Sequence, residues 1–357
     1  MKHVVTVEAA TSRYDIIVEN GSIAGAHAYL SGYAGRRAAV VTDANVAKLY
    51  APALTKALEK AGIRAGVVEV PPGENSKSHD QLLRLYGRFL EDGITRADCV
   101  IALGGGVVGD LAGFAGATYL RGVDVIQVPT TLLAQVDSSV GGKVAVNLPQ
   151  GKNLVGVFAQ PELVLLDTGA LATLDARQTG AGLGEVVKYG CIADEGLFSR
   201  LEQAGSRAAL SKTMDTVVRD CCAIKAGYVH RDTFDNGARK ELNFGHTLGH
   251  ALEQALGYGE LLHGEAVCIG MVQAALWGER LGITPPGTAR RIEALLNMLG
   301  LPVRVPATDM QTVYEAMLVD KKGRGGEIDV VLLESIGKAC LHRMEKRELA
   351  ALAGGDA

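Results

Sequence analysis

Between residues 240 and 271 the chain reads KELNFGHTLGHALEQALGYGELLHGEAVCIGM, and three of its eight histidines, His246, His250 and His263, fall there. His246 and His250 are four apart in a segment with helical patterning. Residues at i and i+4 share a helix face, so the two imidazoles can converge on one point. His263 follows the break at Gly257 and Gly259 and comes just before Glu265. Imidazole is the commonest side-chain metal ligand, and it titrates close to neutrality. The grouping predicts a metal site with a nearby base, in preference to three hydrogen-bonded core histidines. The motif is HTLGH and not HExxH, which disfavours a hydrolase whose base is the glutamate inside that motif. A further ligand candidate stands upstream. Glu185 lies in the apolar, glycine-rich run GLGEVVKYG, three residues before Lys188. An ion pair along one helix face explains that spacing. Two imidazoles and one carboxylate would also leave an open position on zinc, the pattern of catalytic sites.

Other residues suit an anion. LGGGVVGD places Gly104, Gly106 and Gly109 after an apolar run and before a helical one. Free N–H groups at a helix start favour a pyrophosphate there. The acid expected about 20 residues on would be Asp124, but it opens the next strand. Asp43 ends an earlier strand and is the better ribose candidate, with a helix N-cap as its competing role. In DSSVGGKVAVNLPQGKNLVG, Lys143 and Lys152 stand in glycine-bordered loops beside Asn153. There phosphate contact competes with simple solvation. Lys225 follows an apolar helical run at 217–224, Arg239 and Lys240 precede Asn243, and Lys338 lies in SIGKA after a strand at 329–333. Cations around a metal and a nucleotide pocket imply a phosphorylated or carboxylated small substrate.

The elements that must position these groups follow from periodicity. Strands are expected at 3–7, 14–18, 38–41, 67–70, 99–103, 123–128 and 163–166, with helices at 45–61, at 79–91, after the triple glycine and after Thr130-Thr131. Strands alternating with helices predict a mostly parallel sheet covered on both faces. Such sheets bind ligands beyond the carboxyl ends of their strands, where Asp43, the PPGENSK loop, the triple glycine and Thr130-Thr131 would lie. From about residue 170 the pattern becomes helical. A length of 357 residues suggests two domains, and the expected division is 1–172 and 173–357.

Composition narrows the partners. The net charge of −4 gives no basic excess for nucleic acid or an anionic membrane surface. No apolar run reaches the roughly 18 residues of a membrane span, and MKHVVTVEAA lacks the apolar core of a signal peptide. The six cysteines show no CxxC pair, and most read as small buried hydrophobes in a reduced, cytoplasmic chain.

Taken in order, PPGENSKS, GGGVVGDLAGFAGATYLRG, QVPTTLLAQVDSSVGGKVAVNLPQGKNLVG, GLGEVVKYG, LNFGHTLGHALE, HGEAVCIGM, DKK and SIGK resemble the 3-dehydroquinate synthase family over nearly the whole chain. The resemblance implies a Rossmann-like α/β N-terminal domain that binds NAD and a largely α-helical C-terminal domain that binds zinc or cobalt. It also implies a homodimer acting on a small sugar phosphate. By motif, Glu185, His246 and His263 resemble the metal ligands. Lys143, Asn153, Lys188, Lys225, Arg239, Asn243, His250 and Lys338 resemble the substrate-handling set, and Arg121 of YLRG resembles a residue reaching the partner's site. Asp43, Gly73, Glu74, Lys77, Gly105, Gly106, Val107, Val108, Gly109, Asp110, Thr130, Thr131, Asp137, Lys143, Lys152 and Thr173 resemble the NAD-contacting set. Asp235 stands where the family pattern has Glu, one methylene longer. Two rival enzyme readings are another sugar-phosphate cyclase and a glycerol-dehydrogenase-like alcohol dehydrogenase. From another class, a non-catalytic NAD-binding module is set against the complete ionisable set.

Overall fold

Short runs of β-branched and aliphatic residues build a seven-stranded sheet in a computed structural model of the chain, which describes residues 2–257, 259–318 and 326–354. The strands are β1 (His3–Glu8), β2 (Arg13–Val18), β3 (Arg37–Asp43), β4 (Arg64–Val70), β5 (Cys99–Gly104), β6 (Asp124–Pro129) and, later in the chain, β9 (Leu163–Leu166), in the order β1-β2-β9-β6-β5-β3-β4. All neighbours pair in parallel except β1 with β2. Helices α1 (Ala44–Lys60), α2 (His79–Glu91) and α3 (Gly106–Thr118) make the crossovers. Alternate strand residues face opposite ways. Val40, Ile101, Leu103, Ile126 and Val128 pack with Leu54 and Leu58 of α1. Ala39, Val41, Val100 and Ala102 pack with Leu82, Leu85 and Phe89 of α2 and Leu111, Ala112 and Ala115 of α3. Burial on both faces is why these strands read as continuous apolar runs.

Between β6 and β9 lies a separate antiparallel hairpin of β7 (Lys143–Leu148) and β8 (Gly151–Phe158). The glycine-bordered loops expected around Lys143 and Lys152 are instead these two paired strands. Val144 and Val146 are in fact buried against the α2–α3 side of the sheet.

The chain divides into two compact units, Met1–Asp175 with Val218–Phe234, and Ala176–Val217 with Asp235–Ala357. A single cut at 172/173 does not reproduce this division, because Val218–Phe234 groups with the first unit. That segment is most of helix α7 (Met214–Arg231), in which Cys222 Sγ contacts the Gln135 carbonyl.

The second unit is mainly helical. It contains α4 (Ala176–Ala193), α5 (Glu195–Ala204), α6 (Arg207–Leu210), α8 (His246–Leu256), α9 (His263–Arg280), α10 (Thr288–Met298), α11 (Met310–Leu318), the hairpin β10 (Glu327–Ser335) and β11 (Lys338–Glu345), and α12 (Lys346–Gly354). The DKK motif at Asp320–Lys322 lies outside the described residues. Helix α4 is buried at every position from Gly180 to Ile192, as expected of a helix apolar on all sides. Its contact with α9 is backbone to backbone. A Cβ placed on Gly264 would stand 1.9 Å from the Ala181 carbonyl oxygen. Glycine in a helix costs about 0.5–1 kcal/mol against alanine. Here any larger residue would force the two helices apart.

Candidate active site

Three elements of the second unit carry the candidate ligands. Glu185 sits midway along the buried α4, while His246 and His263 are the first residues of α8 and α9. The His246 Nδ1–H donates to the Phe244 carbonyl at 3.1 Å, so its Nε2 presents a lone pair. The His263 Nδ1–H donates to Glu253 Oε2 at 2.9 Å, which frees its Nε2 in the same way. That Nε2 is 3.6 Å from Glu185 Oε1. The rings of His246, His250 and His263 are 5.1–5.5 Å apart. One nitrogen from each lies within 4.8 Å of the others.

This donor set fits a divalent ion. Two ligand atoms each about 2.1 Å from a tetrahedral zinc stand about 3.4 Å apart, close to the observed Glu185–His263 separation. Glu185 is fully buried, and neither of its carboxylate oxygens takes a hydrogen bond. A buried carboxylate in that state is costly without a cation. Lys188 Nζ, at 2.5 Å from Oε2 and itself buried, supplies part of the compensation. The i,i+3 ion pair and the ligand role are therefore compatible. Burial, aided by the positive charge of Lys188, holds the His246 imidazole well below its ordinary pKa and keeps it neutral, the form that binds metal. At His263 burial opposes the charge. The hydrogen bond to Glu253 and the carboxylate of Glu185 outweigh it, and the pKa rises.

Glu265, two residues after His263, is engaged at the start of α9. Its Oε2 accepts the Leu262 N–H at 2.8 Å, closing the start of α9, and both its oxygens are held by Arg177 at 2.8 Å. These bonds hold its carboxyl below the usual range against the effect of burial. Arg239 is buried, and Asn243 half-buried, in the 3-10 turn Ala238–Asn243 that leads into α8. Lys338 opens β11. It is 68% exposed and ion-paired with Glu334 across the hairpin turn.

In the first unit the sheet's strand order reverses between β3 and β5, the switch point at which open α/β sheets bind ligands. Asp43 ends β3, and its Oδ1 caps α1 by accepting from Asn45 and Val46 at 2.9 and 3.1 Å. The competing role foreseen for it is thus filled. Gly105 is the N-cap of α3, and Gly106, Val107, Val108, Gly109 and Asp110 form its first turn. A Cβ on Gly109 would meet Gln127 Oε1 at 3.0 Å, so this glycine serves helix–strand packing. Lys77 Nζ reaches Asp110 Oδ2 at 2.5 Å. Burial raises the Asp110 carboxyl while Lys77 pulls it down. Thr131 Oγ1 accepts the Ala134 N–H at 3.2 Å, and the buried Thr130 hydroxyl makes no hydrogen bond. Thr173 Oγ1 bonds the Tyr50 hydroxyl at 2.6 Å. Lys225 Nζ, in α7, bonds both the carbonyl and Oδ1 of Asp137 at 2.7 and 2.6 Å. Lys143 begins β7, and Lys152 and Asn153 lie in β8, with Asn153 left-handed at φ 57°. Gly73 precedes the turn Glu74–Ser76. Arg121 is exposed at φ 69°, next to Leu120 at φ 50°. Two non-glycine residues in the left-handed region mark a strained turn.

Residues 67–181 match the family model described as 3-dehydroquinate synthase N-terminal, and residues 182–323 match 3-dehydroquinate synthase C-terminal. The chain belongs to the 3-dehydroquinate synthase family. It is 44% identical over 348 residues to the 3-dehydroquinate synthase of Enterococcus faecalis, covering 97% of each chain. Among solved structures it is similar to 2-deoxy-scyllo-inosose synthase complexed with carbaglucose-6-phosphate, NAD+ and Co2+. That match has a TM-score of 0.90 and 26% identity, over 99% of this chain and 100% of the other. It is also similar to the 2-epi-5-epi-valiolone synthase ValA of Streptomyces hygroscopicus with NAD+ and Zn2+ bound, at TM-score 0.86 and 29% identity over 99% of each chain.

Two residues of this 3-dehydroquinate synthase-family chain escaped the sequence reading. Glu253 ends the quoted motif LNFGHTLGHALE, but nothing local says that it bonds His263 on the next helix. Asn147 donates from Nδ2 to Glu74 Oε1 at 2.7 Å and accepts the Asn153 N–H on Oδ1 at 2.9 Å. It joins the PPGENSK loop to β8, and its only sequence signal is its place in the strand alternation of KVAVNL.

Proposed function

We propose that the chain converts 3-deoxy-D-arabino-heptulosonate 7-phosphate to 3-dehydroquinate and phosphate, as a carbon–oxygen lyase that uses NAD and a zinc or cobalt ion. The observation that carries the reading is the 44% identity to a 3-dehydroquinate synthase across 97% of both chains. When bound, NAD would take a hydride from the C5 hydroxyl carbon and later return it, and the ion would polarise that hydroxyl as a Lewis acid.

The chain's own groups divide the remaining work. Glu185 Oε1 and the Nε2 atoms of His246 and His263 would hold the ion, three protein ligands that would leave room for substrate oxygens. His250 shares the cluster, but a fourth protein ligand would close the shell. It serves instead as a hydrogen-bond or proton-transfer group at the substrate. Lys188, ion-paired with Glu185, keeps positive charge beside the anionic substrate. Lys143, Lys225, Arg239, Asn153 and Asn243 bind and orient the carboxylate and phosphate of the substrate. Cations there stabilise charge as the phosphate leaves. Lys338 keeps its substrate role only if its exposed pair with Glu334 opens. Asp43, Gly73, Glu74, Lys77, Gly105–Asp110, Thr130, Thr131, Asp137, Lys152 and Thr173 form the nucleotide-binding set, with the start of α3 facing the pyrophosphate.

The protein acts as a cytoplasmic homodimer in this reading, with Arg121 presented to the partner. Among the described residues no helix is long and apolar enough to cross a membrane. The test is to incubate the protein with the heptulosonate phosphate, a divalent metal and catalytic NAD. Dehydroquinate and free phosphate should form in equal amounts over many turnovers per NAD. Accumulation of NADH in step with substrate loss would instead mark a simple dehydrogenase.

A further inference from the structure

Metal-binding histidines usually donate their second ring N–H to a carboxylate, carbonyl or water. This fixes the tautomer and the ring plane and raises ligand basicity. The two imidazole ligands proposed above differ in this partner. His246 has a neutral one, the Phe244 carbonyl. His263 has the carboxylate of Glu253, 2.9 Å from Nδ1 and only 7% exposed. Glu253 lies on α8 seven residues after His246, on the same helix face, and reaches across to the first residue of α9. His263 is the first residue of α9, directly after the N-cap Leu262.

We propose that Glu253 is a positioning residue for the metal centre. Its carboxylate locks His263 as the Nδ1–H tautomer, aims Nε2 at the point shared with Glu185 Oε1, and strengthens that nitrogen as a donor. Its charge also makes the inner ligands unequal, with one imidazole carboxylate-backed and the other carbonyl-backed. The proposal rests on the ligand assignment of the preceding section. No step of the reaction passes through Glu253, which acts only through His263.

The test is Co2+ binding to the full chain, read by the visible absorption of the bound ion and by competition with a chelator, without substrate. Glu253→Gln keeps the shape and a neutral oxygen acceptor. It should weaken Co2+ binding about tenfold and shift the absorption bands. Glu253→Ala should weaken binding by up to about 100-fold, the range seen when such partners are removed. Glu253→Asp, shorter but still charged, should recover part of the loss. Thermal unfolding of the metal-free variants separates a folding defect from a binding one. A Glu253→Gln protein that folds and binds Co2+ with unchanged affinity and spectrum overturns the proposal, even if Glu253→Ala fails to fold. His263→Ala tests the ligand assignment separately. If it binds Co2+ like the parent, the assignment itself is wrong, whatever the Glu253 variants do.

Discussion

The contact between α4 and α9 makes Gly264→Ala a sharp probe of the site. The new Cβ would stand 1.9 Å from the Ala181 carbonyl oxygen, whereas carbon–oxygen contacts settle at about 3.3 Å or more. The helices must therefore separate by about 1.4 Å, because a backbone carbonyl cannot swing aside. Gly264 adjoins His263, and Ala181 lies one turn before Glu185, so the movement opens the edge between these two proposed ligands. That edge is 3.6 Å between His263 Nε2 and Glu185 Oε1. Half of the displacement, about 0.7 Å, brings it to about 4.3 Å, just beyond the roughly 4.2 Å that two zinc bonds of about 2.1 Å span even in a straight line. Overpacking costs about 1–3 kcal/mol, and alanine returns about 0.5–1 kcal/mol of helix propensity. Gly264→Ala should thus lose up to about 2.5 kcal/mol in urea unfolding and bind Co2+ at least tenfold more weakly. Gly87→Ala is the control. It lies in α2 with nothing within 4 Å of the added carbon, and should gain stability with metal binding unchanged. Wild-type affinity and an unaltered cobalt spectrum in Gly264→Ala would refute the reasoning that backbone contact sets the ligand spacing.

Further outcomes are expected. His250→Ala should keep near-stoichiometric metal after dialysis and lose most turnover, while His246→Ala and His263→Ala lose metal. Metal depletion of all three alike, by mass spectrometry, would place His250 among the ligands. Mixed dimers of Arg121→Ala and Lys188→Ala chains should regain partial activity after subunit exchange, and verified heterodimers that stay inactive would count against contact in trans. Asp98 ties β3 to the turn before β5 through Arg37 N, Thr95 N and Thr95 Oγ1, each at 2.7 Å. These bonds lower its pKa although burial raises it. A depressed folded pKa means its stabilisation is complete above the unfolded value of about 3.9 and is lost as pH falls through the folded one. Asp98→Ala should therefore cost about 2–3 kcal/mol near neutrality, as for charge-assisted hydrogen bonds, and progressively less in acid. An equal cost at both ends in urea titrations would disprove this assignment.

The sequence alone determined what depends on near neighbours along the chain. Strands buried on both faces must be apolar runs, so the sheet's strands stood out. The glycine turn after β5 and the i,i+4 pair His246–His250 are likewise local. Asp43 could be read as a cap because its partners are two and three residues away. Tertiary structure decided what depends on residues far apart in sequence. The pairing of β7 with β8 overrode the glycines that had read as loop. Val218–Phe234 joins the first unit through contacts with residues about 90 positions earlier, such as Lys225 with Asp137. No spacing rule reveals that Glu265 is occupied by Arg177, 88 residues before it. The metal centre shows the same boundary. The chain's chemistry-bearing residues are visible one by one. Which nitrogen each histidine presents is set by its partner, the Phe244 carbonyl for His246 and the Glu253 carboxylate for His263. The second of those contacts exists only because α8 and α9 pack close enough for a hydrogen bond to pass between them.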